Sequence, residues 1–402
     1  MVDIIIIGGG ASGMLAALTA ACDGENRVTL LERQARVGRK LLSTGNGRCN
    51  LTNTRAGAEH YHGGADFAAY ALGAFTPEDT LDFFESLGLL TSREYGGRVY
   101  PLSNQANSVV DVLRFALERE NIRILTGCAA ESVKRAGDGF YVGCAQGELF
   151  ADKLIVACGG CAGSRLGGVM DGYRLLASLG HSRTALYPAL TQVRTDSAYP
   201  RALKGVRADC RVTLRRGKKI LEQKSGELLF TDTGVSGTVI FELSRAVSSG
   251  GEGLELGLDF MPDMDGERLL RHLRARREMA PLLPANQILV GTVHNRLGQM
   301  LCKYAGVGGE LTLARLDDAQ LHAVAAACRD FRLRVTGVSG FESAQVTAGG
   351  MRTEEFVPET LESRIVPGLF ACGEVLDVDG GCGGYNLQWA WSSGRLAGRL
   401  GK

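Results

Sequence analysis

Proline is scarce in this chain, at 9 of 402 residues, while glycine is abundant at 55. Glycine near 14% against a usual ~7% places the excess in specific tight loops. Imbalance of charge is missing too: 45 basic side chains face 44 acidic ones, for a net +1. Attraction to polyanions through bulk charge is thereby excluded. No apolar run reaches the ~18 residues of a membrane span. The chain opens on Met1-Val2-Asp3 without a basic region or small-residue cleavage site, which gives no sign of a secretory signal. Its 11 cysteines are odd in number and widely scattered, unlike a secreted disulfide framework. Reduced thiols in a cytoplasm are expected. What is present, 45% apolar and 22% charged residues, is globular, and the length fits two or three domains with a sizeable core.

Residues 3–7 (DIIII) are β-branched, GGGASG follows, and then comes the alanine-rich MLAALTAAC. This reads as strand, glycine turn, helix, and RVTLLE at 27–32 supplies the next strand of a parallel βαβ unit. The glycine-rich stretch 37–53 lacks helical period and is expected to be an ordered loop. Thr76-Pro77-Glu78-Asp79 is a capped helix start, and 108–120 has helical apolar spacing. From 192 the pattern changes to short alternating runs such as RVTLRR and ELLF, the mark of a small antiparallel sheet or barrel. Leu, Ala and Arg at helical spacing dominate 265–335, and strand-then-glycine signals return after 345. The fold class expected is α/β: a Rossmann-like dinucleotide-binding domain (1–191 and 345–402) interrupted by an inserted β-rich, barrel-like part (192–258) and a helical part (259–344).

Gly8-Gly9-Gly10-Ala11-Ser12-Gly13 fits G-x-G-x-x-G between a strand and a helix. Gly8 permits the turn, Gly10 lets backbone approach a diphosphate at the helix N-terminus, and Gly13 lets helix pack on strand. Glu32, 19 residues beyond Gly13, stands where a carboxylate accepts hydrogen bonds from adenosine ribose. The loop directly after it carries Arg39, Lys40, Ser43, Asn46, Gly47, Arg48, Cys49 and Asn50, small residues, cations and amides suited to phosphates and flavin edges. That position favours FAD over a nicotinamide dinucleotide. Near the C-terminus a strand delivers Gly373 and Glu374, and glycines lead into a helix starting near Tyr385 or Asn386. Its N–H groups and partial positive charge suit the pyrimidine edge of a flavin.

GRKLLSTGNGRCNLTN, GRVYPLSNQANSVVDVL, DGYRLLASLGH, TGVSG, TAGGM, LESRIVPGLFACGEVLDVDG and GGYNLQWAWSSG together resemble the BaiN/YhiN-like flavoproteins of the aminoacetone oxidase family, essentially end to end. The resemblance implies FAD, a split FAD domain with an inserted barrel and helices, an adenine contact near Ala130, and a loop contact at Gly159 and Gly160. Together with the motifs, it sets the expected FAD contacts at Gly8, Gly10, Ala11, Ser12, Gly13, Glu32, Arg33, Arg39, Lys40, Ser43, Asn46, Gly47, Arg48, Cys49, Asn50, Ala130, Gly159, Gly160, Gly373, Glu374, Asp377, Tyr385, Asn386 and Leu387. The chain departs from the family pattern at Cys158, Cys161, Thr238 and Cys382.

Cys158-x-x-Cys161 has no partner motif, so structural thiols are favoured over a redox pair, and no metal is expected. Cys49 likewise lacks a second cysteine nearby. His60-Tyr61-His62 could carry protons, with a polar loop as the plainer reading. Nine basic residues between 201 and 224 could attract an anion, with a solvated strand face preferred. Asp232 and Tyr385 are the candidate substrate contacts. The function expected is FAD-dependent transfer of hydride between flavin N5 and a small organic substrate, by reduction of an activated C=C bond or oxidation of a small amine. One dinucleotide fingerprint makes NAD(P)H at most a transient reductant. A nucleic-acid-modifying flavoprotein is the alternative, and FAD as a sensor without turnover a third.

Overall fold

A computed structural model describes residues 1–196 and 198–402. The chain divides into two compact units, 1–187 with 341–402, and 188–340.

The first unit is built on a five-stranded parallel sheet. Its strands are β1 (Asp3–Ile7), β2 (Arg27–Glu32), β3 (Ile122–Thr126), β4 (Lys153–Val156) and β5 (Leu369–Ala371), in the order β5-β4-β1-β2-β3. β1 lies in the middle, and Ile4 to Ile7 are all buried, as a parallel strand covered on both faces requires. Helix α1 (Ala11–Ala20) is buried along nearly its whole length because its residues are small. It packs against α2 (Tyr385–Ala397), the C-terminal helix. A Cβ added at Gly394 would stand 2.4 Å from the Ser12 carbonyl, and one at Gly398 2.6 Å from that of Ala16. Only glycine on one helix and small residues on the other allow backbones this close.

The helix Pro77–Ser86 starts as its sequence predicts: Asp79 N–H donates to Thr76 Oγ1 at 3.2 Å, and Thr76 N–H donates to Asp79 Oδ2 at 2.8 Å. A helix at Ala65–Ala74 was not anticipated; its sequence, ADFAAYALGA, offers too few polar residues to define an exposed face.

The second unit holds a closed barrel whose strands follow one another around it as 193–195, 234–236, 219–231, 207–216, 254–259 and 331–338. Val212, Leu214, Phe230, Leu256, Leu258 and Leu333 are fully buried in its core. Helices Thr238–Gly250, Gly266–Met279, Asn295–Tyr304 and Asp318–Arg329 share that core. The expected class is therefore found: a Rossmann-type α/β unit split by a barrel and helices. Among the described residues no helix is long and apolar enough to cross a membrane.

Candidate active site

The loops that leave the C-terminal ends of β1, β2, β4 and β5 gather at one edge of the parallel sheet, where open α/β sheets bind ligands. The turn after β1 is locked to its neighbour: Gly8 N–H donates to Leu31 O at 2.8 Å, and a Cβ on Gly8 would lie 2.4 Å from Ala157 O. One on Gly13 would lie 1.8 Å from Gly8 O, whereas one on Gly10 would meet nothing within 4 Å. So Gly8 and Gly13 close the turn, and Gly10 leaves bare backbone facing open space. α1 begins immediately afterwards with no side-chain cap and no acid in its first turn. The N–H groups of Ala11, Ser12 and Gly13 have no carbonyl of their own helix to meet, and the helix end carries roughly half a positive charge.

Glu32 ends β2 nearly buried. Its Oε2 accepts from Gly9 N–H at 2.8 Å and its Oε1 from Gln34 N–H at 2.7 Å. Burial raises its pKa, against the lowering effect of those two donors. Cys128 N–H donates to Glu32 O at 2.9 Å, which brings buried Ala130 to the same corner. Arg33 pairs with Asp171 at 3.2 Å, an acid the sequence reading missed although it stands in the quoted DGYRLLASLGH string. Arg39 donates to Gln34 Oε1 at 2.5 Å.

In the loop that follows, Lys40 Nζ donates to Glu374 Oε2 at 2.8 Å, and Glu374 Oε1 accepts from Thr347 N–H at 2.9 Å. Thr347 Oγ1 accepts from Ala162 N–H at 2.9 Å, while Gly160 packs against both Glu374 and Thr347. This network ties the glycine-rich loop, the 159–162 turn and the Gly373–Glu374 turn together. Thr347 is a second member that sequence reasoning did not single out. Gly159, at φ +69°, faces open space. Ser43 donates to Lys40 O, and Asn46 and Gly47 are exposed. Arg48 is held elsewhere, by Glu94, by Asn104 Oδ1 at 2.9 Å, and over the Tyr100 ring at 4.0 Å.

The GNGRCNLTN stretch docks onto the start of α2. Asn53 Nδ2 donates to Gly383 O at 2.8 Å, Trp391 Nε1 to Leu51 O at 2.9 Å, and Thr52 Oγ1 to Gln388 Oε1 at 2.5 Å. Asn50 Oδ1 is buried there with no hydrogen-bond partner. Asn386 clamps the approach to the helix, accepting from Gly380 N–H at 2.8 Å and donating to Gly380 O at 2.7 Å. Asp377 takes a bond from Thr184 Oγ1 at 2.8 Å, and Leu387 is half-buried against the core. Like α1, α2 has a glycine N-cap and no acid in its first turn.

Two uncapped helix N-termini, bare backbone at Gly10, a buried ribose-type carboxylate and an orphaned amide oxygen at Asn50 are what an adenine dinucleotide with a long polar tail would need. FAD fits these residues. The family model described as the HI0933-like protein Rossmann domain matches residues 2–400. The chain belongs to the HI0933-like Rossmann family.

Within the reach of curated relatives, a 3-dehydro-bile acid delta(4,6)-reductase of Clostridium scindens is 40% identical over 98% of this chain and 97% of its own. A ribosomal RNA dihydrouridine synthase of Escherichia coli is 31% identical over 97% and 96%. A solved 3-ketosteroid delta1-dehydrogenase from Sterolibacterium denitrificans superposes with a TM-score of 0.49 at 13% identity, covering 99% of this chain and 98% of that one. This HI0933-like protein is an FAD-dependent oxidoreductase.

Other sequence candidates have contacts of their own. Burial pushes the Cys49 and Cys158 thiols up to about 12, and raises that of Cys161. Cys158 Sγ donates to Ile7 O at 3.5 Å, whereas Cys161 Sγ lies 3.0 Å from Met170 Sδ. Among the described residues no group of His, Cys, Asp and Glu is arranged to hold a metal ion. Asp232 belongs to the barrel unit and pairs with Lys204 at 2.6 Å.

Proposed function

We propose that this flavoprotein reduces a carbon–carbon double bond conjugated to a carbonyl group in a small organic substrate. The relative that is 40% identical carries this reading. Its name describes reduction of bonds extended from a 3-oxo group. The dihydrouridine synthase shares the chemistry in another setting, since the 5,6 bond of uracil is conjugated to the ring carbonyl. Both are hydride additions to an electron-poor alkene, and oxidation of a small amine has no such support.

FAD, when bound, supplies the two electrons as hydride. The first turn of α1, with Ala11, Ser12 and Gly13 beside Gly10, holds the diphosphate. Glu32 would accept hydrogen bonds from the ribose hydroxyls, and Ala130 would stand at the adenine end. Lys40, Ser43, Asn46, Gly47, Gly159, Gly160, Gly373 and Glu374 line the polar chain between the two ends. Asn50, Tyr385, Asn386 and Leu387 would hold the flavin end, and the N-terminus of α2 would favour negative charge there. Any NAD(P)H that reduces the flavin would have to bind transiently, because there is one dinucleotide fingerprint. We place the enzyme in the cytoplasm, where its free cysteines stay reduced.

RNA is the second reading, favoured by the 31% relative. Against it, four of the nine cations between 201 and 224 are already paired: Lys204 with Asp232, Arg207 with Glu227, Arg215 with Asp330, and Lys224 with Glu222. The test is anaerobic reduction of the flavin, followed by mixing with cyclic enones, an oxo-diene steroid and uridine-containing RNA, and in parallel anaerobic mixing of the oxidised enzyme with small amines. Reoxidation with formation of the saturated ketone is expected. Reoxidation by RNA alone selects the second reading, and flavin reduction by an amine with no alkene turnover overturns both.

A further inference from the structure

Addition of hydride to the β-carbon of an enone forms one C–H bond and moves the alkene electron pair onto the carbonyl oxygen. The resulting enolate needs a proton at its α-carbon, and the proposed reduction is incomplete without a donor. The N-terminus of α2 offers few groups able to give one near neutral pH. Tyr61 is buried, its phenol is pushed far up by burial, and its Oη already donates to Tyr385 O at 2.8 Å. Cys49 is raised to about 12. Arg98, whose Nε lies 3.6 Å from where a Cβ on Gly383 would stand, keeps its proton throughout.

His60 is different. The strand Tyr61–Gly63 pairs antiparallel with Val378–Gly380, and Gly381 N–H donates to His60 O at 3.2 Å. His60 is thereby fixed to the segment that leads into α2, and is not part of a solvated loop. Its imidazole stacks on the Tyr385 ring, with centroids 4.5 Å apart and planes at 27°. Its Nε2 lies 3.6 Å from Glu59 Oε1, and the side chain is 34% exposed, open enough to exchange protons with water. The stack on Tyr385 orients the ring, and the exposed Glu59 carboxylate lies beside one of its nitrogens. Other ionisable groups on the elements packed here are the Tyr385 phenol, Asp377 beside Gly63, Cys382, and His62 and Asp379, which oppose each other across the strand pair.

We propose that His60 is the proton donor of this reductase, an inference that rests on the enone reading. Its imidazolium N–H bond breaks, the proton forms the second C–H bond at the α-carbon, and water recharges the imidazole. The reduced flavin supplies both electrons, so the sum is alkene plus hydride plus proton.

The experiment uses FAD-loaded wild type, His60→Gln and, as a control on the same strand pair, His62→Gln. Flavin is reduced by dithionite and reoxidised anaerobically by 2-methylcyclohex-2-enone from pH 5 to 9. His60→Gln should slow reoxidation by ~10²–10⁴-fold and lose the decline toward high pH, with reduction by dithionite unchanged and His62→Gln like wild type. The configuration at C2 of the product should become mixed, because bulk water then protonates either face. Independently of turnover, 2,4-dinitrophenolate, an enolate mimic that stays anionic from pH 5 to 9, should bind oxidised wild type about tenfold more tightly at pH 5 than at pH 9. His60→Gln should lose that preference. An unchanged pH profile in His60→Gln, or equal phenolate binding across pH in wild type, overturns the assignment. If no alkene reoxidises wild type while the phenolate preference is present and His60-dependent, the enone reading fails and the proton-donor assignment falls with it, leaving His60 as an anion-binding group.

Discussion

Two alanine substitutions three residues apart separate a glycine needed for folding from one needed for the cofactor. At Gly13 the added Cβ would sit 1.8 Å from Gly8 O, and real Cβ contacts essentially never fall under 3.0 Å. α1 would have to retreat from β1 by at least the difference of 1.2 Å, against backbone and the Ala157 Cβ, with no flexible side chain to yield. Overpacking of this kind costs about 1–3 kcal/mol or more, and Gly13→Ala should lower the melting temperature of the apoprotein and abolish FAD retention. Gly10 has φ −81° and ψ −169°, open to any residue. Alanine is the poorer N-cap, but it narrows the unfolded ensemble by about 0.4–1 kcal/mol. The two effects offset, and apoprotein stability should stay within about 1 kcal/mol of wild type. Yet the methyl would occupy the open space assigned to the diphosphate, displacing hydrogen bonds to a charged group worth about 1.5–3 kcal/mol, or ~10–150-fold in Kd. Denaturant melts of both apoproteins and FAD titration by flavin fluorescence measure the two quantities. FAD binding by Gly10→Ala with unchanged Kd would refute the placement of the diphosphate.

Four further outcomes are expected. Glu32→Ala removes the ribose acceptor and should weaken FAD by ~10- to 100-fold in the same titration. Gln388→Leu leaves the Thr52 and Thr80 hydroxyls without their shared acceptor and Ser392 Oγ without its donor, while Phe75 O keeps only the bond from the Ser392 hydroxyl; urea unfolding should show a loss of about 3 kcal/mol. His181 is buried against Phe356 and its pKa is lowered by burial, so the unfolded chain takes up the proton first; its stabilising contribution should be complete above about pH 6.5 and fade as pH falls through the folded value, and His181→Gln should flatten that part of a plot of unfolding midpoint against pH. Replacing Cys158 by Thr and Cys161 by Ser should keep turnover, because neither thiol is placed to ionise; lost turnover with FAD still bound would reinstate a redox pair.

The glycine fingerprint, Glu32, the Thr76 cap and the start of α2 at Tyr385 were legible because each is a local rule written in a few adjacent residues. Alternation alone announced a barrel after 192, although closure depends on the strand 331–338 returning to 193–195 across some 140 residues. The Gln388 network was invisible for the same reason, since its partners at 52, 75 and 80 lie about 310 to 340 positions away. His60-Tyr61-His62 looked like a loop because three residues are too few to show a strand period. Arg48, chosen for its charge, is held by Glu94 and Asn104, which no spacing in the sequence links to it.

The sheet order has a consequence for how the protein is made. β5 and α2, which complete the sheet and one end of the cofactor site, emerge from the ribosome only after the whole second unit has been synthesised. At roughly 5–20 residues per second, the ~150 intervening residues impose a wait of about 8–30 s. During it the edge of β4 that will receive β5 is unpaired, and the face of α1 that will receive Gly394 and Gly398 is bare. The nascent first segment is then a client for chaperones, and FAD can be enclosed only near the end of translation, so a stalled or prematurely terminated chain will accumulate without cofactor whatever the supply of flavin.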